Sequence, residues 1–570
     1  MIVQELSQLQ QQTQMDVLRA GAAGEARDPH WRRWLVLCAA ALAIGCGLLI
    51  YAETMAFYWD EGFHVLAAQL IGRGSRPYLD FFFPQPPLNT YWNAAWMRVF
   101  GESWRVVHAA AAIATGTAVL FAADFVYRTF PFPAWRLAAG LTTVLCFGLN
   151  TLVVTYATVG QAYSLCLLLI VVAFRLALVA SVRASALWAW AAGLASGAAA
   201  GCSLLTAPIG PVLLAGLLWH NQAGGRVRKS LAFIFGGSLP FVPVAWLALH
   251  DFQQVFFNIV EYHLFYRKVG WSEALPHGAE VMSSWFDSGQ ALLLIVLALC
   301  GLLFATSKDC PAARSREYYI CAWLIGAQAL WLCNIHPTFP QYFVFVVPFL
   351  AILAPAGLHG LVLRFDSTGR PLWPVLLIGA FIAFGLEKSL FEQRGNMTWR
   401  DVEAIAAKVN EVTESAAPLV ADEFVYFASK RVPPRRLEHA DVRKLPPALA
   451  ARLGLISGEE LESRVLAGQF ATLETCNAEF TEKLGLKSLY HHSAQFEDCT
   501  VYWDVDRSHA SPAAHPPNRM VGATDCSRGR CQRSRVDVFV ARSATRRAPA
   551  RFRPRTAIVR CAAGPPARHS

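Results

Sequence analysis

Three acidic residues, Asp60, Glu61 and Asp80, lie within one short stretch between the first two long apolar segments of the chain. Only 40 of the 570 residues are acidic, so this grouping stands out. A carboxylate beside a membrane is costly unless it is solvated, paired or functional. Such a group can take a proton from an attacking hydroxyl, ligate an ion, or serve as the substrate or proton site of a transporter. Each of these three possibilities predicts different surroundings for the carboxylates.

The composition indicates a helical protein that crosses the membrane many times. The chain is 55% hydrophobic with a mean hydropathy of +0.35, and 16% of its residues are charged, against about a quarter in soluble proteins. Apolar runs of about 18 or more residues occupy most of 34–388. The net charge of +10 arises in 509–570, which holds 13 Arg and two Asp. The basic balance therefore gives no argument for nucleic-acid binding.

We predict an all-α polytopic membrane protein of about eleven transmembrane helices, with a small C-terminal α/β domain. The predicted spans are 34–53, 106–126, 135–155, 160–180, 186–205, 207–220, 230–249, 289–306, 317–334, 342–364 and 371–388. Arg and Lys concentrate in the loops that follow even-numbered spans, which places the N-terminal segment 1–33 in the cytoplasm. The first loop (54–105), the loop 250–288 and the C-terminal domain (389–508) then face outward. The short span 207–220 is kept because removing it breaks the charge alternation.

Local signals divide the outward segments further. In the first loop, Glu61–Ile71 is expected to be a helix that glycines terminate, and Pro86-Pro87 starts a second, aromatic-rich helix suited to the membrane interface. The C-terminal domain should begin with the helix Thr398–Thr413 and then contain one further helix and three strands. These are the helix Ser457–Leu466 and the strands Pro418–Asp422, Phe470–Leu473 and Cys499–Val505. The tail 509–570 has the composition of a disordered segment.

Cysteine usage gives one open question. No CxxC pair and no Cys/His cluster at metal spacing occurs among the fourteen cysteines. Cys476 and Cys499 lie in the outward domain and can form a disulfide there.

The centres of the predicted spans are nearly free of acidic residues. Transporters place ionisable groups near mid-membrane, on broken helices. Here the acids concentrate in the first loop instead, which favours chemistry at the membrane surface over transport. A polytopic transporter or flippase of lipid-linked sugars remains the alternative.

Three motifs of the first loop resemble the GT-C superfamily of glycosyltransferases. They are the pair Asp60-Glu61, the stretch from Gly74 to Phe81 (GSRPYLDF), and Pro86-Pro87-Leu88. The closest branch resembles the dolichyl-phosphate-mannose protein mannosyltransferases and the bacterial lipid A aminoarabinose transferases. The segment HPTFPQYFVFVVPFLAILA resembles a late span of that family, and ADEFVYFASKRVPPR resembles the start of its soluble domain. The likeness covers about 34–505.

The resemblance implies transfer of a sugar from a polyprenyl-phosphate donor to a hydroxyl of a lipid, glycan or protein at the outer face of the inner membrane. Asp60 is the expected general base of an inverting attack. Glu61 is expected to orient Asp60, or to cap the following helix. Asp80 either shapes the acceptor site or pairs with Arg76. No cofactor is expected, and a divalent metal is not predicted because the loop lacks a DxD motif.

The leaving phosphate requires positive charge from outward-facing residues. The substrate-binding candidates, including a tyrosine from the family-like stretch, are Arg76, Tyr78, Asp80, His263, Arg267, Lys268 and His336. For the basic residues of loop 250–288 the alternative is a solvated interfacial helix, and for His336 a structural role.

Overall fold

The computed structural model describes residues 30–183, 185–220, 224–266, 271–308, 310–335, 337–365, 371–434 and 445–506. Helices dominate these ranges. Up to residue 250 they are α1 (His30–Thr54), α2 (Glu61–Gly72), α3 (Leu88–Phe100), α4 (Trp104–Thr129), α5 (Arg136–Gly148), α6 (Thr151–Tyr156), α7 (Tyr163–Val182), α8 (Ala186–Cys202), α9 (Ile209–His220), α10 (Arg226–Ser238) and α11 (Val242–His250).

The second half continues with helices before a small sheet appears. The helices are α12 (Phe252–Phe256), a π-helix (Phe257–Tyr266), α13 (Trp271–Asp287), α14 (Gly289–Ala305), α15 (Ala312–Cys333), α16 (Val347–Phe365), α17 (Leu372–Gln393), α18 (Trp399–Val412), α19 (Glu423–Ala428), α20 (Pro447–Leu453), α21 (Gly458–Leu466), α22 (Ala478–Leu484) and α23 (Leu486–Leu489). The strands are β1 (Leu419–Val420), β2 (Thr472–Thr475), β3 (Tyr490–Phe496) and β4 (Cys499–Val505). Short 3₁₀ turns at 133–135, 204–206, 239–241 and 340–346 join neighbouring helices.

Every predicted span contains a helix. Within the described ranges, six helices are individually long and apolar enough to cross a membrane, namely Trp31–Thr54, Trp104–Thr129, Tyr163–Val182, Arg226–His250, Pro340–Phe365 and Leu372–Gln393. The protein is therefore a multi-pass membrane protein, and the count of eleven spans stays a prediction. The predicted span 135–155 is divided between α5 and α6, because the Asn150 side chain accepts a hydrogen bond from the Leu152 N–H and starts a new helix.

Glycines allow the closest approaches between the apolar helices. A Cβ atom on Gly193 of α8 would lie 2.0 Å from the carbonyl oxygen of Phe233 in α10. A Cβ on Gly357 of α16 would lie 1.9 Å from the carbonyl oxygen of Leu297 in α14. Small residues at such crossings let two backbones touch, which is how helices associate in a membrane that offers little hydrophobic driving force between them.

The C-terminal sheet has the order β1-β2-β4-β3. β1 runs parallel to β2, whereas β2 and β3 each pair antiparallel with β4, with Leu473 opposite Tyr502. The predicted strands and the helix α18, with its Thr398–Asp401 capping box, are confirmed. The sequence missed β3 because this edge strand is mostly exposed and lacks apolar alternation. Cys476 and Cys499 form a disulfide, which settles that open question.

The C-terminal region packs directly on the first loop. The two predicted loop helices are present as α2 and α3, and α19 lies against α2. A Cβ atom on Gly62 would lie 2.9 Å from the backbone nitrogen of Phe424. One apolar cluster combines loop residues such as Val65 and Phe83 with Trp399 and Phe424. The first loop is thus enclosed between membrane helices and the C-terminal region.

Candidate active site

Asp60 occupies the N-cap position of α2 with φ −69° and ψ −8°, yet its side chain makes no capping hydrogen bond. The residue is exposed and lines a cavity of about 520 Å³. Asp60 is the only carboxylate among the described residues that line this cavity. The first of the three sequence-predicted acids is therefore open to a substrate.

The cavity wall combines polar and apolar side chains from five parts of the chain. The lining residues are Asp60, His64, Pro84, Gln85, Pro86, Gln161, Ala162, Tyr163, Ser203, Leu204, Leu205, Ile259, Val260, His263, Leu264, Trp331, Asn334, Ile335 and Tyr342. Amides, hydroxyls and imidazoles of this kind can hydrogen-bond a polar headgroup, and the aliphatic residues offer contact to a hydrocarbon chain. The cavity suits an amphipathic ligand.

Glu61 has surroundings quite unlike those of its neighbour. Its side chain is fully buried, and it accepts hydrogen bonds from the Gly160 N–H (2.6 Å), from Nε1 of Trp399 (3.0 Å) and from Nε2 of His108 (2.7 Å). It is not among the residues that line the cavity. The geometry favours the supporting role for Glu61 over direct contact with a substrate.

Two further predicted site residues, Arg76 and Asp80, do not line the cavity. Arg76 and Asp80 form an ion pair, with Nε of Arg76 3.1 Å from Oδ2 of Asp80, and both side chains are partly exposed. This hydrogen-bonded carboxylate raises the pKa of Arg76. Of the two roles considered for Asp80, pairing with Arg76 is the one present in the structure.

Tyr78 does not line the cavity, but it hydrogen-bonds a residue that does. Its hydroxyl donates to the carbonyl oxygen of Gln85 at 2.6 Å. Gln85 and its neighbours Pro84 and Pro86 all line the cavity. Burial raises the pKa of Tyr78 well above its usual value, so the hydroxyl remains a donor. The residue has a φ of 69°, a strained conformation for a bulky side chain that this packing and hydrogen bond hold in place.

His263 is the basic candidate that the structure brings into the cavity wall. Its Nε2 donates to the carbonyl oxygen of Pro84 at 2.5 Å, which fixes the π-helix against the first loop. The remaining candidates Arg267, Lys268 and His336 lie outside the described residues. Their contact with a phosphate stays a prediction.

Sequence reasoning missed several cavity residues. His64 lies on α2, Gln161 and Tyr163 follow a short uncharged loop, and Tyr342 belongs to the segment HPTFPQYF. One signal pointed toward them, the family-like segment that holds Tyr342, but it assigned no role to an individual side chain.

Tyr58 was also missed. Burial, and then the neighbouring Asp60 carboxylate, raise the pKa of Tyr58 far above its usual value. The hydroxyl, which accepts from Nε2 of Gln341 at 2.7 Å, therefore stays protonated. At neutral pH it does not compete with Asp60 as a proton acceptor.

A grouping with metal-ligand spacing occurs elsewhere. Among the described residues it consists of Glu474, Cys476 and Cys499, and the two cysteines are joined in a disulfide. Sulfur atoms in a disulfide are not thiolate ligands. This trio therefore does not fit a metal ion, and the expectation that the protein requires none stays a prediction.

Comparisons with known proteins identify solved structures that have a similar fold. No protein-family model matches the chain, and no curated protein matches it either. The crystal structure of ArnT from Cupriavidus metallidurans bound to undecaprenyl phosphate is similar, with a TM-score of 0.59 at 15% sequence identity over 84% of this chain and 99% of that chain. The apo structure of the same protein gives 0.59 at 16% identity over 84% and 98%. The chain therefore shares the fold of ArnT over most of its length.

Proposed function

We propose that this protein transfers a sugar from a polyprenyl-phosphate donor to a hydroxyl acceptor at the outer face of the inner membrane, with inversion at the anomeric carbon. The observation that carries the proposal is the position of Asp60, which is exposed and lines an amphipathic cavity in a chain with the fold of ArnT. The acceptor is a lipid, a glycan or a protein. The cytoplasmic N-terminus and the outward C-terminal region belong to the same proposal.

Asp60 acts as the general base. The acceptor hydroxyl attacks the anomeric carbon from the face opposite the phosphate, and its proton passes to the Asp60 carboxylate. The bond between the anomeric carbon and the phosphate oxygen breaks, and polyprenyl phosphate leaves with the electron pair. A phosphate monoester is a weak base, so its departure requires no general acid.

The cavity supports both parts of the donor. The sugar and phosphate can hydrogen-bond the polar wall, where Gln161 and His263 lie, whereas the prenyl chain contacts aliphatic residues such as Leu204, Leu205 and Ile335. The ArnT structure with a similar fold was determined with undecaprenyl phosphate bound, which is the product class expected here. Arg267, Lys268 and His336 complete the proposed phosphate contacts.

A donor panel tests the proposal. Purified protein in lipid nanodiscs receives polyprenyl-phosphate donors that carry hexoses, pentoses or amino sugars, together with candidate acceptors. We expect polyprenyl phosphate to accumulate with at least one donor, in an amount equal to the glycosylated acceptor. Movement of an intact donor across the bilayer without release of polyprenyl phosphate would instead establish the alternative, a flippase of lipid-linked sugars.

A further inference from the structure

A buried network connects the residue after Asp60 to a second segment of the cavity wall and to the C-terminal region. Its centre is Glu61, the residue after Asp60, and its other members are His108 on α4, Gly160 before α7 and Trp399 at the start of α18. Neither Glu61 nor His108 is exposed at all, and Trp399 is 1% exposed. No step of the proposed mechanism involves His108, Gly160 or Trp399.

The hydrogen bonds define how protons are arranged in this network. Nδ1 of His108 lies 2.6 Å from the carbonyl oxygen of Ala52, and its Nε2 lies 2.7 Å from Oε1 of Glu61. Both ring nitrogens therefore face oxygen acceptors, and both carry hydrogen when Glu61 is a carboxylate. The imidazolium then balances the charge of Glu61, as a buried carboxylate requires.

Gly160 connects Glu61 to the segment of the cavity wall that begins at Gln161. Its N–H donates to Glu61 at 2.6 Å, and its carbonyl oxygen accepts from Nδ2 of Asn89 (3.1 Å) and of Asn93 (2.7 Å). The next residue along the chain, Gln161, belongs to the cavity wall. Glu61 thus holds Asp60 on one side and the segment that begins at Gln161 on the other.

Trp399 brings the C-terminal region into the same network. Its Nε1 donates to Oε2 of Glu61 at 3.0 Å, and its ring stacks on Trp104 with the centroids 5.7 Å apart and the planes at 12°. Trp104 makes a hydrogen bond of the same kind to a different carboxylate. Its Nε1 donates to Oε1 of Glu403 at 2.7 Å. That bond leads to Glu403 and not to Asp60.

We propose that Glu61, held by Trp399, is a positioning residue that fixes the Asp60 carboxylate against the Gln161 wall, so that the C-terminal region sets the rate of the transfer step. The inference rests on the proposed function of the cavity. A reacting group displaced by about 1 Å can lose about 100-fold in rate, so loss of one donor to Glu61 reduces kcat. Donor binding depends on the whole cavity and changes much less.

The matched variants Trp399→Phe and Trp104→Phe test this inference. Each removes one indole N–H bond to a carboxylate and keeps an aromatic ring in the same stack. We expect Trp399→Phe to lower kcat about 10- to 100-fold with the donor KM within about twofold of the unmodified protein, and Trp104→Phe, which keeps every hydrogen bond to Glu61, to lower kcat much less. Equal losses of kcat in the two variants, or none in Trp399→Phe, would overturn the inference.

A second readout does not depend on sugar transfer. In an Asp60→Cys background, peptide mass spectrometry measures how fast a membrane-impermeant maleimide modifies position 60. We expect Trp399→Phe to change this rate several-fold, whereas Trp104→Phe changes it much less. An unaltered rate in both variants refutes the positioning role even if the donor panel finds no transfer. A changed rate without any transfer would leave the positioning intact and refute only the proposed function.

Discussion

Oε1 of Glu61 lies 2.7 Å from Nε2 of His108, and both side chains are completely buried. The two residues are separated by 47 positions in the sequence, and their contact joins α2 to the membrane helix α4. A buried carboxylate and imidazole in contact compensate each other only as a pair. The pair therefore bears on the stability of the fold as well as on the position of Asp60.

Removing one member of this pair should be costly. His108→Leu leaves the Glu61 carboxylate buried without its counter-charge, and we expect it to lower the free energy of unfolding by about 3–5 kcal/mol. Glu61→Gln should cost clearly less, because a neutral amide needs no counter-charge. Its oxygen, placed where Oε1 lies, can still accept from the Gly160 N–H, although its NH2 group then faces the Trp399 N–H. Unfolding in detergent, followed by circular dichroism, measures both. Equal losses in the two variants would contradict the paired-charge account.

Asp60→Asn should abolish most sugar transfer while leaving the fold intact. Loss of a general base typically costs about 10²- to 10⁴-fold in rate, and an exposed amide of the same size adds no strain. The measurement is release of polyprenyl phosphate, with the melting temperature as the test of folding. Asp80→Asn is the matched control, since Asp80 pairs with Arg76 outside the cavity wall. Full activity in Asp60→Asn would remove the general-base assignment.

Gly160→Ala should disturb the same network from the backbone side. A Cβ atom there would lie 2.8 Å from Cγ1 of Val107 and 2.9 Å from Oε1 of Glu61, and overpacking of this kind costs about 1–3 kcal/mol. We expect a lower melting temperature together with a lower kcat. Gly72→Ala is the control, because no atom lies within 4 Å of the Cβ it would add. If both variants behave alike, the close approach at Gly160 is unimportant.

The Cys476–Cys499 disulfide should stabilise the C-terminal region. It links residues 23 positions apart, and closing a loop of that size is worth about 3 kcal/mol in the chain-entropy description. The double variant Cys476→Ser, Cys499→Ser should melt at a lower temperature and lose its response to a reducing agent. The exposed Cys46 provides Cys46→Ser as a control without effect. A reductant-sensitive melting temperature in the double variant would point to another cause.

Truncation after residue 508 should leave activity nearly unchanged. The prediction derives from composition, since 509–570 holds 13 Arg without apolar periodicity and lies outside the described residues. The kcat of the truncated protein, measured beside the full chain in the same nanodiscs, checks it. A large loss would assign the Arg-rich tail a role in the reaction.

The sequence alone predicted a multi-pass helical membrane protein and the two helices of the first loop. Apolar runs and loop charges report on local physical preferences, so the helices α2 and α3, the capping box at Thr398 and most strands were predictable. The motifs around Asp60 and Pro86 predicted a fold of the kind that the comparison with ArnT shows. The edge strand β3 was not predictable, because exposed polar residues leave no periodic pattern.

Tertiary structure decided what each acid does. Asp60 and Glu61 are neighbours in the sequence, yet one opens into the cavity and the other is sealed inside the protein. The partners of Glu61 lie 47, 99 and 338 positions away. No local pattern encodes such contacts, because they form only when helices distant in the chain pack together. Packing therefore gave the two neighbouring carboxylates different surroundings.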